Sequence, residues 1–236
     1  MIQACLNGGR TRLESARVPL TPTELANEAR AAVAAGATCL HIHPRCADGV
    51  ETLAAERVAE ALTAVRDAVP GTPVGVGTGA WIAPGGRARH EEIAAWQVLP
   101  DYVSLNVRED DAAEMGLLLS ELGILIEAGL WESADVPRFR ERLDPSLCCR
   151  ILVEIGDLDA GAALAEAGST LDELARLGHG LPVLLHGRER SAWPMVEEAL
   201  RRGLDTRVGL EDMLVLPDGS STPGNAALVR AAMSLS

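Results

Sequence analysis

A single parallel (β/α)8 barrel is the fold that this sequence predicts, on three observations. The chain has 236 residues, 47% of them hydrophobic, which is a usual size for one such barrel. Short apolar runs rich in β-branched residues alternate along its whole length with longer, alanine-rich amphipathic stretches. No segment rich in Pro, Gly or Ser divides the chain, so residues 1–236 are expected to form one domain.

The predicted strands are short apolar segments bounded by turn residues. They are Ile2–Leu6, Thr38–His43, Pro73–Thr78, Tyr102–Asn106, Ile124–Glu127, Arg150–Ile155, Pro182–His186 and Arg207–Glu211. An open, doubly wound sheet is the alternative topology. It is less favoured because no glycine-rich dinucleotide fingerprint follows the first strand, where Gly8-Gly9 makes only a turn.

Helices are predicted between these strands. In the first, Thr21 is expected to be the N-cap, Pro22 the first helical residue and Glu24 the reciprocal partner of a capping box. This helix is expected to end near Gly36. Gly129–Pro145 is the least regular stretch, where a loop or a short helix is expected. The other helices are placed at Ala54–Val69, Glu91–Val98, Ala112–Leu122, Ser191–Arg202 and Asn225–Met233.

The charge of the chain excludes several partners. Its formal net charge of -13 argues against binding to nucleic acid or to an anionic membrane surface, since both need clustered positive charge. No apolar run reaches membrane-spanning length, and the opening MIQACLNGGR lacks the layout of a signal peptide. The sequence therefore predicts a cytoplasmic protein.

The numbers of lysines and cysteines exclude several classes of enzyme and indicate the state of the thiols. All 21 basic residues are arginines, so enzymes that need a lysine amine are excluded, namely Schiff-base aldolases and pyridoxal-phosphate enzymes. A Walker phosphate-binding loop is excluded for the same reason. The five cysteines are odd in number and have no paired spacing, which predicts reduced thiols.

Active sites of such barrels lie at the carboxyl ends of the strands, where this sequence places polar residues. His41 and His43 are two residues apart on one strand, so both imidazoles are expected to point into one cavity. With Glu211 from the last strand they would form a three-ligand metal site with an open fourth position. Hydrogen-bonded core histidines are the alternative interpretation.

The neighbouring carboxylates Glu211 and Asp212 cannot both face inward on a regular strand. One arrangement lets Glu211 bind the metal while Asp212, at the start of the loop, faces the substrate as a base. The alternative is that Asp212 caps a turn. Arg207 is expected on the same face as Glu211, either holding a carboxylate and tuning Asp212, or acting as an ion-pair partner inside the barrel.

Hydrogen-bond donors are expected on the third and fourth strands. Ser104 and Asn106 share one face of the fourth strand, while Thr78 and Gly79 close the third. Hydroxyl, amide and loop N–H donors in this arrangement suit a substrate carboxylate or a developing oxyanion, although such residues also form turns.

Four further residues near the predicted mouth of the barrel are weaker candidates for a role in the site. Arg45, directly after the histidine pair, is either an anion contact or a solvated loop residue. His186 ends the seventh strand and is expected to pack behind the site. Trp81 and Trp131 fall in loops that are placed to wall the pocket.

Taken together, five stretches resemble the beta-keto acid cleavage enzyme (BKACE) family. These stretches are Leu6–Arg10, Ala35–Ala37, His41–Arg45, Val103–Asn106 and Arg207–Asp212, and the resemblance extends from Ile2 to the final helix. The His-x-His strand together with Arg-Val-Gly-x-Glu-Asp is the specific part of it.

The resemblance implies a (β/α)8 barrel, usually tetrameric, with one zinc ion held by two His and a Glu. Family members transfer an acetyl-type unit between a β-keto acid and acetyl-CoA, which yields acetoacetate and a new acyl-CoA. By position, His41, His43 and Glu211 match the zinc ligands. Another divalent first-row ion would accept the same donors.

The resemblance also assigns roles to residues around the metal. Asp212 matches the general base and Arg207 the arginine that assists it. Ser104 and Asn106 match contacts to the substrate carboxylate. Glu127 matches a carboxylate near the mouth of the active site.

Departures from the family pattern leave the substrate open. The third strand ends Val76–Ala80, where many members carry a serine before the threonine, and the chain is shorter than the best-known members. The substrate side chain and the use of coenzyme A are therefore implied by the resemblance rather than by particular residues. The alternatives are another metal-dependent barrel lyase or hydrolase acting on a small carboxylate, a non-catalytic metal- or ligand-binding barrel, and a structural subunit.

Overall fold

Eight parallel strands form one sheet in the order β7-β6-β5-β4-β3-β2-β1-β8. The computed structural model describes residues 1–235. The strands are β1 (Ile2–Cys5), β2 (Cys39–Ile42), β3 (Val74–Gly77), β4 (Tyr102–Asn106), β5 (Leu125–Leu130), β6 (Cys148–Ile155), β7 (Val183–Gly187) and β8 (Thr206–Val208).

The sheet curls into a nearly closed barrel. Gln3 of β1 is in register with Cys39 of β2 on one side and with Arg207 of β8 on the other. Between β7 and β8, Leu184 and Asp205 form an isolated parallel bridge, which brings the two ends of the sheet together. The predicted (β/α)8 barrel is confirmed, and the doubly wound alternative was wrong.

A helix follows each strand and covers the outside of the barrel. The helices are α1 (Pro22–Ala34), α2 (Ala55–Ala68), α3 (Ala88–Ala94), α4 (Ala112–Glu121), α5 (Asp135–Arg142), α6 (Ala160–Leu177), α7 (Ala192–Arg202) and α8 (Asn225–Ser234). The capping box of α1 is confirmed, since Glu24 N–H donates to Thr21 Oγ1 at 3.3 Å and Thr21 N–H donates to Glu24 Oε2 at 3.0 Å.

The sequence prediction missed the helix α6 and misplaced several boundaries. The ends of α6 carry ordinary signals, because the Asp159 side chain accepts from Ala162 N–H and Gly178 closes the helix with a φ of 68°. The irregular stretch contains the short helix α5, and α3 begins three residues earlier than predicted. Strand β5 extends to Leu130, whereas β8 stops at Val208. Both strand corrections affect the site.

Alternate residues of the strands face opposite sides of the barrel wall. Leu40 and Ile42 of β2 belong to the same buried apolar cluster as Leu25 of α1 and Leu62 of α2. The intervening His41 is buried on the other side, facing the barrel interior with polar groups from other strands. The apolar core therefore lies between sheet and helices, while the interior of the barrel is left for polar side chains.

Two further sequence expectations bear on the surroundings of the protein. Within residues 1–235, every helix is too short or too polar to cross a bilayer. The five cysteines are free thiols, as their odd number predicts. A cytoplasmic location stays a prediction.

Candidate active site

His41 and His43 meet Glu211 at the carboxyl end of the barrel. The two Nε2 atoms lie 3.0 Å apart, and each is 3.7 Å from Oε2 of Glu211. One ligand atom from each residue lies within 4.8 Å of the other two. The geometry thus brings the three predicted ligands together around one point.

Two glycines make room for this arrangement. A Cβ on Gly77 of β3 would overlap the imidazole ring of His43, and a Cβ on Gly8 would overlap the side chain of Glu211. Gly8 also has a φ of 53°, a conformation that favours glycine. The close approach of the ligands therefore depends on the absence of neighbouring side chains.

We expect Gly77→Ala to displace His43 and to weaken the binding of a divalent metal ion by about 10–100-fold, the loss typical when support for a ligand is removed. The dissociation constant can be measured by competition with a chelator. Gly168→Ala in α6 is the matched control, because a Cβ there meets nothing within 4 Å. Equal affinities for the two variants would contradict the prediction.

The pKa shifts of His41 and Glu211 favour the binding of a cation. Burial lowers the pKa of His41 to about 3, against the opposing effect of Glu211, so this imidazole is neutral near pH 7. Burial would raise the pKa of Glu211, but the positive charges around it, chiefly Arg207, hold the pKa well below its usual range. Among the described residues, Oε2 of Glu211 has no hydrogen-bond partner. Two imidazole nitrogens and an unpartnered carboxylate oxygen match the donor set of a catalytic divalent metal.

A turn explains how two adjacent carboxylates share one side. Because β8 ends at Val208, residues 209–212 turn, and Asp212 N–H donates to the Gly209 carbonyl at 2.9 Å. Both carboxylates then reach Arg207, whose Nη2 lies 2.8 Å from Glu211 Oε1 and 2.7 Å from Asp212 Oδ1. The predicted regular strand through Glu211 was wrong, and the turn makes the shared contact with Arg207 possible.

The Arg207–Asp212 pair is fully enclosed. Arg207 is 2% exposed and Asp212 is 0% exposed. Arg207 Nε also donates to Asp212 Oδ2 at 3.1 Å and lies 3.2 Å from Nδ1 of His186. Burial raises the pKa of Asp212 although Arg207 acts in the opposite direction. A carboxylate whose pKa is raised holds a proton more readily than an ordinary carboxylate, which suits the role of a base.

The cavity that contains the triad has a volume of about 170 Å³. It is lined by Gly9, His41, His43, Gly77, Gly79, Trp81, Ser104, Asn106, Trp131, Leu152, Glu154, Arg188, Arg207 and Glu211. Asp212 lies outside this wall, behind Arg207. A larger cavity of about 560 Å³ lies beside Arg87 and Arg108 and contains none of the triad, so we place the site in the smaller one.

Three of the predicted substrate contacts line the cavity. No other described group hydrogen-bonds the hydroxyl of Ser104, which is therefore available to a ligand. The amide of Asn106 is already engaged, since it donates to Glu109 at 2.9 Å and accepts from Trp131 Nε1 at 2.8 Å. Gly79 lies under the ring of Trp81, with no room for a Cβ between them.

Thr78 and Arg45 are not among the residues that line the cavity, and a substrate contact from either side chain stays a prediction. Thr78 is fully buried and donates its hydroxyl to the Ser104 carbonyl at 2.7 Å. Arg45 is 8% exposed and donates to the carbonyl oxygens of Gly8 and Gly49. Both side chains donate to backbone carbonyl groups, Thr78 to one in β4 and Arg45 to those in two loops, so they hold the backbone in place.

Glu127 is also not among the residues that line the cavity, and its match to a carboxylate near the mouth stays a prediction. Glu127 accepts from Gln3 Nε2 at 3.0 Å and lies 2.9 Å from Nε of Arg150, deep in the barrel interior. The reason is that β5 continues three residues beyond Glu127, so the inward face reaches the mouth at Trp131 instead.

Sequence reasoning gave no site role to three polar residues near the triad. Glu154 and Arg188 line the cavity, 3.7 Å apart, and Glu154 also lies 3.6 Å from His186. Burial would raise the pKa of Glu154, but His186, Arg207 and Arg188 together outweigh it and the pKa is lowered. Glu154 is a polar residue at the carboxyl end of the predicted sixth strand, and the alternation from Arg150 places it inside. Glu51, which lies 2.5 Å from His43, has no comparable signal.

A family model described as beta-keto acid cleavage enzyme matches residues 1–236, the whole chain. The chain belongs to the beta-keto acid cleavage enzyme family. Two curated relatives are 3-keto-5-aminohexanoate cleavage enzymes. The one from Fusobacterium nucleatum subsp. nucleatum is 23% identical over 244 residues, covering 97% of this chain and 88% of the relative. The one from Acetoanaerobium sticklandii is 30% identical over 107 residues, covering 45% of this chain and 38% of the relative.

Solved structures agree on the fold of this family member. A complex of ObcA with oxaloacetate superposes with a TM-score of 0.70 at 17% identity. It covers 92% of this chain, whereas this chain spans 63% of the ObcA chain. The 3-dehydroquinate dehydratase from Geobacillus kaustophilus superposes with a TM-score of 0.66 at 13% identity, covering 99% of this chain and 90% of that chain. At these identities the likeness bears on the barrel alone.

Proposed function

We propose that this chain is a zinc-dependent enzyme that cleaves a β-keto acid with acetyl-CoA as co-substrate. The products would be acetoacetate and a new acyl-CoA. The observation that carries the proposal is the meeting of His41, His43 and Glu211 next to the Arg207–Asp212 pair, in a chain of the beta-keto acid cleavage enzyme family. The same donor set accepts other first-row divalent ions.

The proposed reaction exchanges two acyl groups. The methylene carbon of the β-keto acid loses a proton and forms a bond to the acetyl carbonyl carbon of acetyl-CoA, which releases the CoA thiolate. The thiolate then adds to the original keto carbon, and the bond between that carbon and the methylene carbon breaks. Acetoacetate takes back the proton, so atoms and charge balance and no external oxidant is needed.

The side chains of this protein are assigned to parts of that exchange. Asp212 is proposed to accept the methylene proton and to return it, while Arg207 keeps Asp212 oriented and its negative charge balanced. Ser104 is proposed to donate its free hydroxyl to the substrate carboxylate. A divalent ion held by His41, His43 and Glu211 would act as a Lewis acid on the keto oxygen and stabilise enolate charge.

The ligands bound in structures of a similar protein, ObcA, belong to the compound classes that the proposal requires. Structures of ObcA contain oxaloacetate in one complex, and a C4-CoA adduct with oxalate in another. Oxaloacetate is itself a β-keto acid, so both classes of ligand fit the proposal. The homo-oligomer implied by the resemblance stays a prediction.

The experiment that tests the proposal combines metal analysis with an activity panel. We expect elemental analysis to find about one zinc per chain, as a three-ligand catalytic site requires. Supplied with acetyl-CoA and a panel of β-keto acids, the protein should form acetoacetate and acyl-CoA in equal amounts. Chelation should abolish this activity, and added Zn²⁺ should restore it.

Three results would decide against the proposal. Consumption of a β-keto acid without acetyl-CoA would indicate a hydrolase or another lyase. Stoichiometric metal without turnover of any tested acid would indicate a metal-binding barrel. Protein that binds no divalent ion would remove the electrophile from the proposed chemistry.

A further inference from the structure

Glu51 contacts one of the proposed metal ligands, and it does so from a loop. Its Oε1 lies 2.5 Å from Nδ1 of His43, and its side chain is 14% exposed. A carboxylate at this distance favours the tautomer that carries the ring proton on Nδ1. In that tautomer Nε2 carries no proton, and it faces His41 Nε2 at 3.0 Å and Glu211 Oε2 at 3.7 Å.

The loop that carries Glu51 is folded back on itself. Cys46 N–H donates to the Val50 carbonyl at 2.8 Å, and Arg45 and Glu51 pair as an antiparallel bridge. This short hairpin returns the chain to the end of β2, where His43 lies. The position of Glu51 is therefore set by backbone hydrogen bonds before any ligand binds.

His41 and His43 are supported in different ways. His41 lies within β2 and is 1% exposed, and its Nδ1 has no hydrogen-bond partner among residues 1–235. His43 lies one residue beyond the strand, where no ladder holds it, although the Asn7 side chain accepts from its backbone N–H at 2.9 Å. The imidazole of His43 is the one that needs a side-chain partner to keep its orientation.

We propose that Glu51 is a positioning residue that orients His43 for metal binding. The inference rests on the metal centre of the proposed function. Residues that hold a ligating imidazole through its second nitrogen fix both its tautomer and its ring orientation, and their loss typically reduces metal affinity about 10–100-fold.

The test measures zinc affinity directly, by chelator competition on the purified full-length protein. Glu51→Ala is expected to weaken zinc binding by about 10–100-fold. Glu51→Gln keeps an oxygen acceptor for Nδ1–H and is expected to recover part of that loss. Glu56→Ala is the control, since the Glu56 side chain is 76% exposed and is expected to leave affinity unchanged.

The melting temperature of the metal-free protein separates positioning from general stability. We expect metal-free Glu51→Ala to melt close to the wild type, because the hairpin is held by backbone bonds. Wild-type zinc affinity in Glu51→Ala overturns the inference, and so does a large drop in its metal-free melting temperature. If the wild-type protein itself fails to bind zinc, the metal centre is rejected and the inference with it, which distinguishes the two failures.

Discussion

Asp212→Asn is expected to reduce kcat/KM for a β-keto acid by about 10²–10⁴-fold, the range typical for loss of a general base. Asparagine keeps the shape of the side chain and an oxygen that can accept from Arg207, but it cannot take up a proton. The candidate metal ligands His41, His43 and Glu211 are untouched, so the metal content should stay at the wild-type level. The measurement is steady-state turnover with acetyl-CoA, with metal content determined on the same preparation.

Asp205→Asn is the matched control for this change. Asp205 is also a carboxylate near β8, but it pairs with the amino terminus, at 2.8 Å, and its side chain is 25% exposed. The Asp205→Asn variant should have the same kcat/KM as the wild-type protein. Asp212 lies behind Arg207 rather than in the cavity wall, so the experiment also asks whether the carboxylate reaches the substrate. Turnover by Asp212→Asn within threefold of the wild type, with metal bound, would remove Asp212 from the reaction.

Arg207→Met should have the largest effect on stability, a loss of about 3–5 kcal/mol in the free energy of unfolding. The Arg207 guanidinium is buried and bonds to both Glu211 and Asp212. Methionine fills a similar volume but leaves two enclosed carboxylates without their cation. The free energy can be measured by urea denaturation of the metal-free protein, so that metal loss does not contribute.

A surface arginine provides the comparison. Arg201 donates to Glu198 at 2.6 and 2.7 Å, but its side chain is 66% exposed, so Arg201→Met should cost about 0–1 kcal/mol. The double variant Arg207→Met, Asp212→Asn should be more stable than Arg207→Met alone, because it removes one of the unpaired carboxylates. A loss below about 1 kcal/mol in Arg207→Met would show that water reaches these groups.

The features predicted correctly from the sequence depend on local patterns. Alternating apolar runs and amphipathic stretches indicated the barrel, since a parallel sheet and its helices each need one buried face. The spacing of His41 and His43 placed both imidazoles on one side of β2, whatever the other strands do. Strand order around a closed barrel then brought Glu211 and Arg207 of the last segment next to the first strands.

The features that the sequence left open depend on where each strand stops and on which groups lie opposite it. Glu127 lies on β5 and Trp131 directly follows it, and only the length of that strand determines which one reaches the mouth. The turn at the end of β8 brought Asp212 alongside Glu211, a placement that alternation on a strand forbids.

The contacts of Arg45, Thr78 and Glu51 depend on backbone and side-chain groups that the fold brings next to them. Arg45 and Thr78 had the right chemistry for a substrate anion, but nearby carbonyl groups took up their donors. Glu51 had no pattern to distinguish it, because its contact with His43 is made by a hairpin eight residues later in the chain. The periodicity of the sequence specifies which face of a strand or helix a side chain occupies. The hydrogen-bond partner of that side chain depends on groups that come close only when distant strands and loops have packed.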